Sequence, residues 1–186
     1  MNPAQVKHTA FGALLAAALA LAIFAGPGLA ATANLVKNGS FEKDTNGDGI
    51  PNSWDPVGLS PADKRVCNQS YAGTCSLRMI EDGIYKYLTQ NIAVSGGPAE
   101  NYTLTIWAKG KAIVEGSGHA YIYLIIDHVD GSDNFDFVTL NPGTTPWTKY
   151  AIHLASTEAY EAIRVSTTFD LDSGKAWFDK VKFVGP

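Results

Sequence analysis

Asp44-Thr45-Asn46-Gly47-Asp48-Gly49 puts an oxygen-bearing side chain at every second position and closes on a glycine. Calcium takes about six to eight oxygen ligands and accepts backbone carbonyls beside carboxylates. Asp44, Asn46 and Asp48 are therefore candidate ligands, with the Ile50 carbonyl at the seventh position of such a loop. Asp55 stands at the twelfth position, one methylene shorter than the usual Glu. The flanks lack helical periodicity, so this is not a helix–loop–helix unit. A polar turn rich in Asp, Asn and Gly forms without metal as well, and both readings stand.

A second chemistry is suggested by the aromatics, which number 4 Trp, 8 Tyr and 8 Phe. A sugar ring offers apolar C–H faces and a rim of hydroxyls, so its receptor needs flat rings beside polar groups. Tyr121 and Tyr123 alternate with aliphatic neighbours, Trp107 does the same further upstream, and Tyr85 and Tyr87 share a face. Arg164, Ser166 and Thr168 alternate with Ile163, Val165 and Thr167, and Gln90 is placed near the same surface. A hydrophobic core is not normally built with so many hydroxyls and charges. The site exists only if these strands belong to one sheet. The alternative is that the tyrosines pack their rings on the body and wet their hydroxyls. Trp54 and Trp147 are expected to cover the ends of the body, and Trp177 to pack.

Catalytic patterns are missing. There is no Gly-x-Ser-x-Gly elbow, no His-Glu-x-x-His and no phosphate loop. Glycoside hydrolysis needs two carboxylates at a fixed gap. Asp127, Asp130, Asp133 and Asp136 are candidates, but they lie in a turn-rich segment expected to be a surface loop. The expectation is a non-catalytic protein.

The elements that must hold these groups are strands. Tyr102, Leu104, Ile106 and Ala108 alternate with Thr103, Thr105, Trp107 and Lys109. Ala120 to Ile126, Tyr150 to Leu154, Ile163 to Thr167 and Trp177 to Phe183 repeat the same two-residue period. Ser95-Gly96-Gly97-Pro98, Asp130-Gly131-Ser132, Asn141-Pro142-Gly143 and Asp172-Ser173-Gly174 punctuate them as turns. Eight or so strands without helices predict an all-β protein, an antiparallel β-sandwich of jelly-roll topology.

The chain of 186 residues is long enough for one domain and a targeting segment. Residues 1–33 are expected to be a signal peptide: Lys7 and His8, an apolar run from Ala10 to Ala25, then small residues offering cleavage near 30–33. Residues 34–186 form the domain, secreted to the extracellular space and free of a transmembrane span once the segment is removed. Cys67 and Cys75 flank Tyr71-Ala72-Gly73 and are expected to close a hairpin as a disulfide. Formal net charge is -4. No basic stripe is visible along the chain, which argues against nucleic acid as a partner.

Asn38-Gly39-Ser40-Phe41-Glu42, Gly73-Thr74-Cys75-Ser76-Leu77, Leu88-Thr89-Gln90-Asn91-Ile92, Tyr102 to Lys109 and Trp177-Phe178-Asp179-Lys180-Val181 follow one another in a familiar order. Together they resemble the jelly-roll carbohydrate-binding modules of the cellulose- and xylan-binding type, in the wider galactose-binding-like group. The resemblance spans nearly all of the chain from Asn34 onward. It implies a polysaccharide or glycan partner bound on a concave sheet or on edge loops. It also implies a structural calcium tying the first strand region to the last, with Glu42 and Asp179 as its carboxylates. Carbonyls near Ser40 and in the Ser70–Cys75 hairpin would complete the shell, and one or two ions remain open. The alternative is an extracellular adhesion or surface-assembly protein that uses the same sandwich to contact cell-surface or matrix proteins.

Overall fold

A computed structural model describes residues 33–116 and 118–186. The expected signal segment over 1–33 lies outside the described residues, Ala33 apart. Among the described residues no helix is long and apolar enough to cross a membrane.

Among the described residues ten strands build two antiparallel five-stranded sheets. They are β1 (Asp55–Val57), β2 (Lys64–Val66), β3 (Ser76–Ile80), β4 (Lys86–Ile92), β5 (Asn101–Val114), β6 (Ala120–His128), β7 (Asp133–Thr139), β8 (Gly143–Ala155), β9 (Tyr160–Phe169) and β10 (Ser173–Val184). The first sheet has the order β1-β4-β9-β6-β7 and the second β2-β3-β10-β5-β8. The chain crosses between sheets at almost every connection; only β2–β3 and β6–β7 are hairpins within one sheet. This crossing pattern is the jelly-roll arrangement.

Period-two patterning explains the layers. Ala120, Ile122, Leu124 and Ile126 of β6 are buried, as are Leu104, Ile106 and Ala108 of β5 and Phe178, Val181 and Phe183 of β10. They meet between the sheets as one core. Each strand presents its other residues outward, so the sandwich has two independent outer faces.

Two expectations change. The segment around Asp133 and Asp136 is not a surface loop: it is β7, paired to β6 through Asp127↔Asp133 and Tyr121↔Thr139. Its alternation was obscured because an edge strand needs few aliphatic residues on its inner side. Trp147 does not cap an end either; its ring lies near Tyr71 on the outside of the second sheet, 6.0 Å between centroids. Trp54 is buried, with its indole Nε1 donating to the Asn38 carbonyl at 3.3 Å.

Candidate functional site

The outer face of the first sheet has a trough along its middle strand. Central β9 carries short side chains, Ser166 and Thr168, in the trough floor. Its neighbours carry large ones. Tyr87 on β4 and Tyr121 on β6 flank Thr168, while Thr89 and Tyr123 flank Ser166. Bulk on both sides of a hydroxyl-lined floor leaves a groove of about 490 Å³. Asn91 and Ile125 flank Arg164 toward the other end.

Aromatic walls line both sides. Tyr85 and Tyr87 meet edge to face at 5.9 Å. Opposite them Tyr121 and Tyr123 stand 5.2 Å apart, with Phe137 of β7 at 5.0 and 5.4 Å from them and Phe135 at 6.2 Å from Tyr123. Phe135 and Phe137 extend the wall beyond what the sequence suggested. Their signal was present, two aromatics spaced by two, but it sat in the segment taken for a loop.

Polar groups complete the groove. Arg164 Nε donates to Asp127 Oδ2 at 2.8 Å, which fixes the guanidinium plane. That hydrogen bond raises the Arg164 pKa against the cost of burial. Burial, and then the neighbouring Tyr121 and Tyr85 phenols, push the Tyr123 pKa up. Its hydroxyl therefore stays neutral at ordinary pH and can both donate and accept.

Two expected members are elsewhere. Trp107 belongs to β5 in the second sheet, where Tyr71 stacks on it at 3.8 Å with planes 11° apart. Gln90 has the wrong parity on β4. It faces inward, accepting from Lys37 N at 2.7 Å and donating to Lys37 O at 2.9 Å, so it clasps the first segment to the sheet. Tyr85, Tyr87, Tyr121, Tyr123 and Arg164 do share one face.

The carboxylates expected to hold calcium converge on one hairpin, closed by the Cys67–Cys75 disulfide. Glu42 Oε1 accepts from Thr74 N at 2.8 Å and Cys75 N at 3.2 Å. Asp179 Oδ2 accepts from Tyr71 N at 2.8 Å and Ala72 N at 2.9 Å. Asp179 is fully buried. Burial raises its pKa, three backbone N–H donors oppose the rise, and the Glu42 charge adds to it. Among the described residues, neither carboxylate forms an ion pair. A buried carboxylate beside a like charge, with oxygen lone pairs left over, fits a hard cation.

The Asp44–Gly49 loop is tied differently. Asp44 accepts from Gly47 N at 2.9 Å and Gly49 N at 3.0 Å, and Asp48 accepts from Ile50 N at 2.7 Å and Asn46 Nδ2 at 2.7 Å. Its carboxylates thus cap backbone amides of a turn. Asp55, at the twelfth position, starts β1 opposite Thr89. A third group, His128, Asp130 and Glu158, brings ligand atoms within 4.8 Å of one another. Both His128 ring nitrogens are engaged, by Ser132 Oγ at 2.8 Å and Asn134 Oδ1 at 2.7 Å, and a nitrogen donor suits calcium poorly.

No protein-family profile matches the sequence, and no curated protein does. Solved structures match the fold. TmCBM61, described in complex with β-1,4-galactotriose, is 18% identical with a TM-score of 0.56, over 83% of this chain and 100% of that one. A family 16 carbohydrate-binding module is 21% identical with a TM-score of 0.60, over 81% of this chain and 99% of that one. The enzymatically active domain of the bacteriophage CBA120 tailspike protein 4 is 15% identical with a TM-score of 0.61, over 82% of this chain and 21% of that one. At these identities the likeness establishes the jelly-roll fold shared with carbohydrate-binding modules.

Proposed function

We propose that this protein is a secreted, non-catalytic module that binds a polysaccharide chain in the groove of its first sheet and is stabilised by calcium. One observation carries the reading: a trough with a Ser166–Thr168 floor runs between tyrosine walls, with Arg164 and Asn91 at one end. Ring faces take the apolar C–H surfaces of sugars, worth about 1 kcal/mol per good stack by analogy with aromatic pairs. Hydroxyl, amide and guanidinium groups take the sugar hydroxyls. The fold likeness to a module bound to galactotriose supports a glycan as occupant.

The calcium belongs at Glu42 and Asp179, where two like charges meet over the 71–75 hairpin. It would neutralise both and bind the opening segment to the closing strand. Export accords with the Cys67–Cys75 bond. A glycan array probed with the purified protein should show binding to β-linked polysaccharide, weakened about tenfold or more in Tyr123→Ala and Tyr85→Ala. Trp107→Ala should leave it intact, because that ring is in the other sheet. Binding insensitive to both tyrosine variants would remove the groove from the reading.

A further inference from the structure

Charge is sorted between the two sheets. The strands of the second sheet hold nine of the 14 Lys and Arg residues and a single acid, the buried Asp179. The strands of the first sheet hold Lys86 and Arg164 against five acids. No stretch of sequence shows this, because the lysines come from distant strands.

The outward positions of the second sheet carry the charge. Lys109 and Lys111 lie on β5, Lys149 on β8, and Lys175, Lys180 and Lys182 on β10. Register sets Lys175 opposite Lys111, Lys109 opposite Trp177, and Lys149 opposite Trp107. Among the described residues none of these six is in an ion pair. Like charges at strand spacings of about 4.8 Å, and about 6.7 Å along a strand, repel. The protein keeps them together uncompensated, which a surface selected for solubility alone does not require.

We infer that the outer face of the second sheet is a second binding surface, for an acidic polysaccharide bearing carboxylate or sulfate groups. The sheet offers ammonium groups at regular intervals, with the Thr103 and Thr105 hydroxyls among them. Two of its rings are already covered: Lys109 and Lys175 lie over Trp177 at 5.8 and 5.7 Å, and Tyr71 covers Trp107. Neither of these indoles offers an open face for stacking bases, and among the described residues no helix stands on this face to enter a duplex groove. A membrane would ask for many apolar side chains to insert, and among the described residues this sheet and its hairpin expose only Tyr71 and Val114 as large hydrophobics. A polymer with charge at each repeat suits a flat lysine array. This surface is separate from the groove and stands or falls independently of it.

Affinity of the purified full-length protein for polygalacturonate, duplex DNA and phosphatidylserine vesicles tests the assignment. Polygalacturonate should bind best, and should weaken about tenfold or more between about 50 and 200 mM salt as bound counterions compete. The double reversal Lys149→Glu with Lys182→Glu should abolish binding, Lys149→Arg with Lys182→Arg should keep it, and Tyr123→Ala should leave it unchanged. Both lysines are exposed, so circular dichroism of the reversal variant should match the parent. No binding, binding indifferent to the reversal, or loss in Tyr123→Ala overturns the surface. Tighter binding to DNA or vesicles than to polygalacturonate at equal salt overturns the acidic glycan as its partner.

Discussion

Lys86 is the first strand residue of β4 and is completely buried, its ammonium 2.8 Å from Asp63 and 2.6 Å from Asp82. Its third contact is the Ile80 carbonyl at 2.8 Å. Burial works against the charge, but the hydrogen bonds to both carboxylates win and raise its pKa. Such a pair adds little over an apolar substitute, yet breaking it is costly. Asp63→Ala should therefore lower stability by about 3–5 kcal/mol in urea unfolding, and a loss under about 1 kcal/mol would contradict this account. Acid sensitivity follows from the same cluster. The Lys86 hydrogen bond holds the Asp82 carboxyl below the usual aspartate range. A depressed pKa gives stability that is complete above the unfolded value and is lost as pH falls through the folded one. Asp82→Asn should flatten the acid limb of the stability curve and leave the neutral region flat; an acid limb as steep as the parent's counts against it.

At the scale of elements, the 66–75 hairpin joins three tasks. Its disulfide closes it, its amides receive Glu42 and Asp179, and its Tyr71 covers Trp107. Gly73 is needed there, since its φ is +69° and a Cβ would lie 2.1 Å from Glu42 Oε1. Calcium over this hairpin, as proposed, would bind only the folded state, so its removal would lower the melting temperature by linkage. A chelator should reduce it by roughly 5 °C, Asp179→Asn should abolish the shift, and Asp48→Asn should leave it. A shift lost in Asp48→Asn but kept in Asp179→Asn would move the ion to the first loop. The edge strand β7 has a different role. Its Phe135 and Phe137 extend the groove wall, while Asp136 takes the inward parity opposite Leu124. A charge on that side of an edge strand discourages another chain from pairing there.

For the whole molecule, the last two strands are the centres of the two sheets. β9 lies between β4 and β6, and β10 between β3 and β5. Deleting residues 173–186 removes Phe178, Val181 and Phe183 from the core and leaves the second sheet in two pieces. The truncated chain should show no cooperative urea transition, and a sharp one would mean that the first sheet folds without its partner. The same centrality puts short Ser166 and Thr168 in the groove floor and crowded lysines on the opposite face. One sandwich thus presents two chemically different surfaces, an aromatic trough and a basic plane.

Much of this was written in the alternation of side chains. The strand character of 102–109, 120–126 and 163–168 and the burial of Leu104 and Ile122 follow from local pattern, because a pleated strand turns every second residue the same way, and the Cys67–Cys75 bond follows from the turn residues between its cysteines. Parity alone cannot say which strands become neighbours. That is why parity alone groups Trp107 with Tyr121 although a core separates them; Gln90, by contrast, differs in parity from Tyr85 and Tyr87, so its inward position was legible in the sequence. The pairing of distant strands decided where the groove runs, and it gathered lysines from as far apart as Lys109 and Lys182 into one face. Local chemistry sets which way each residue points; only long-range hydrogen bonding between strands sets what stands beside it.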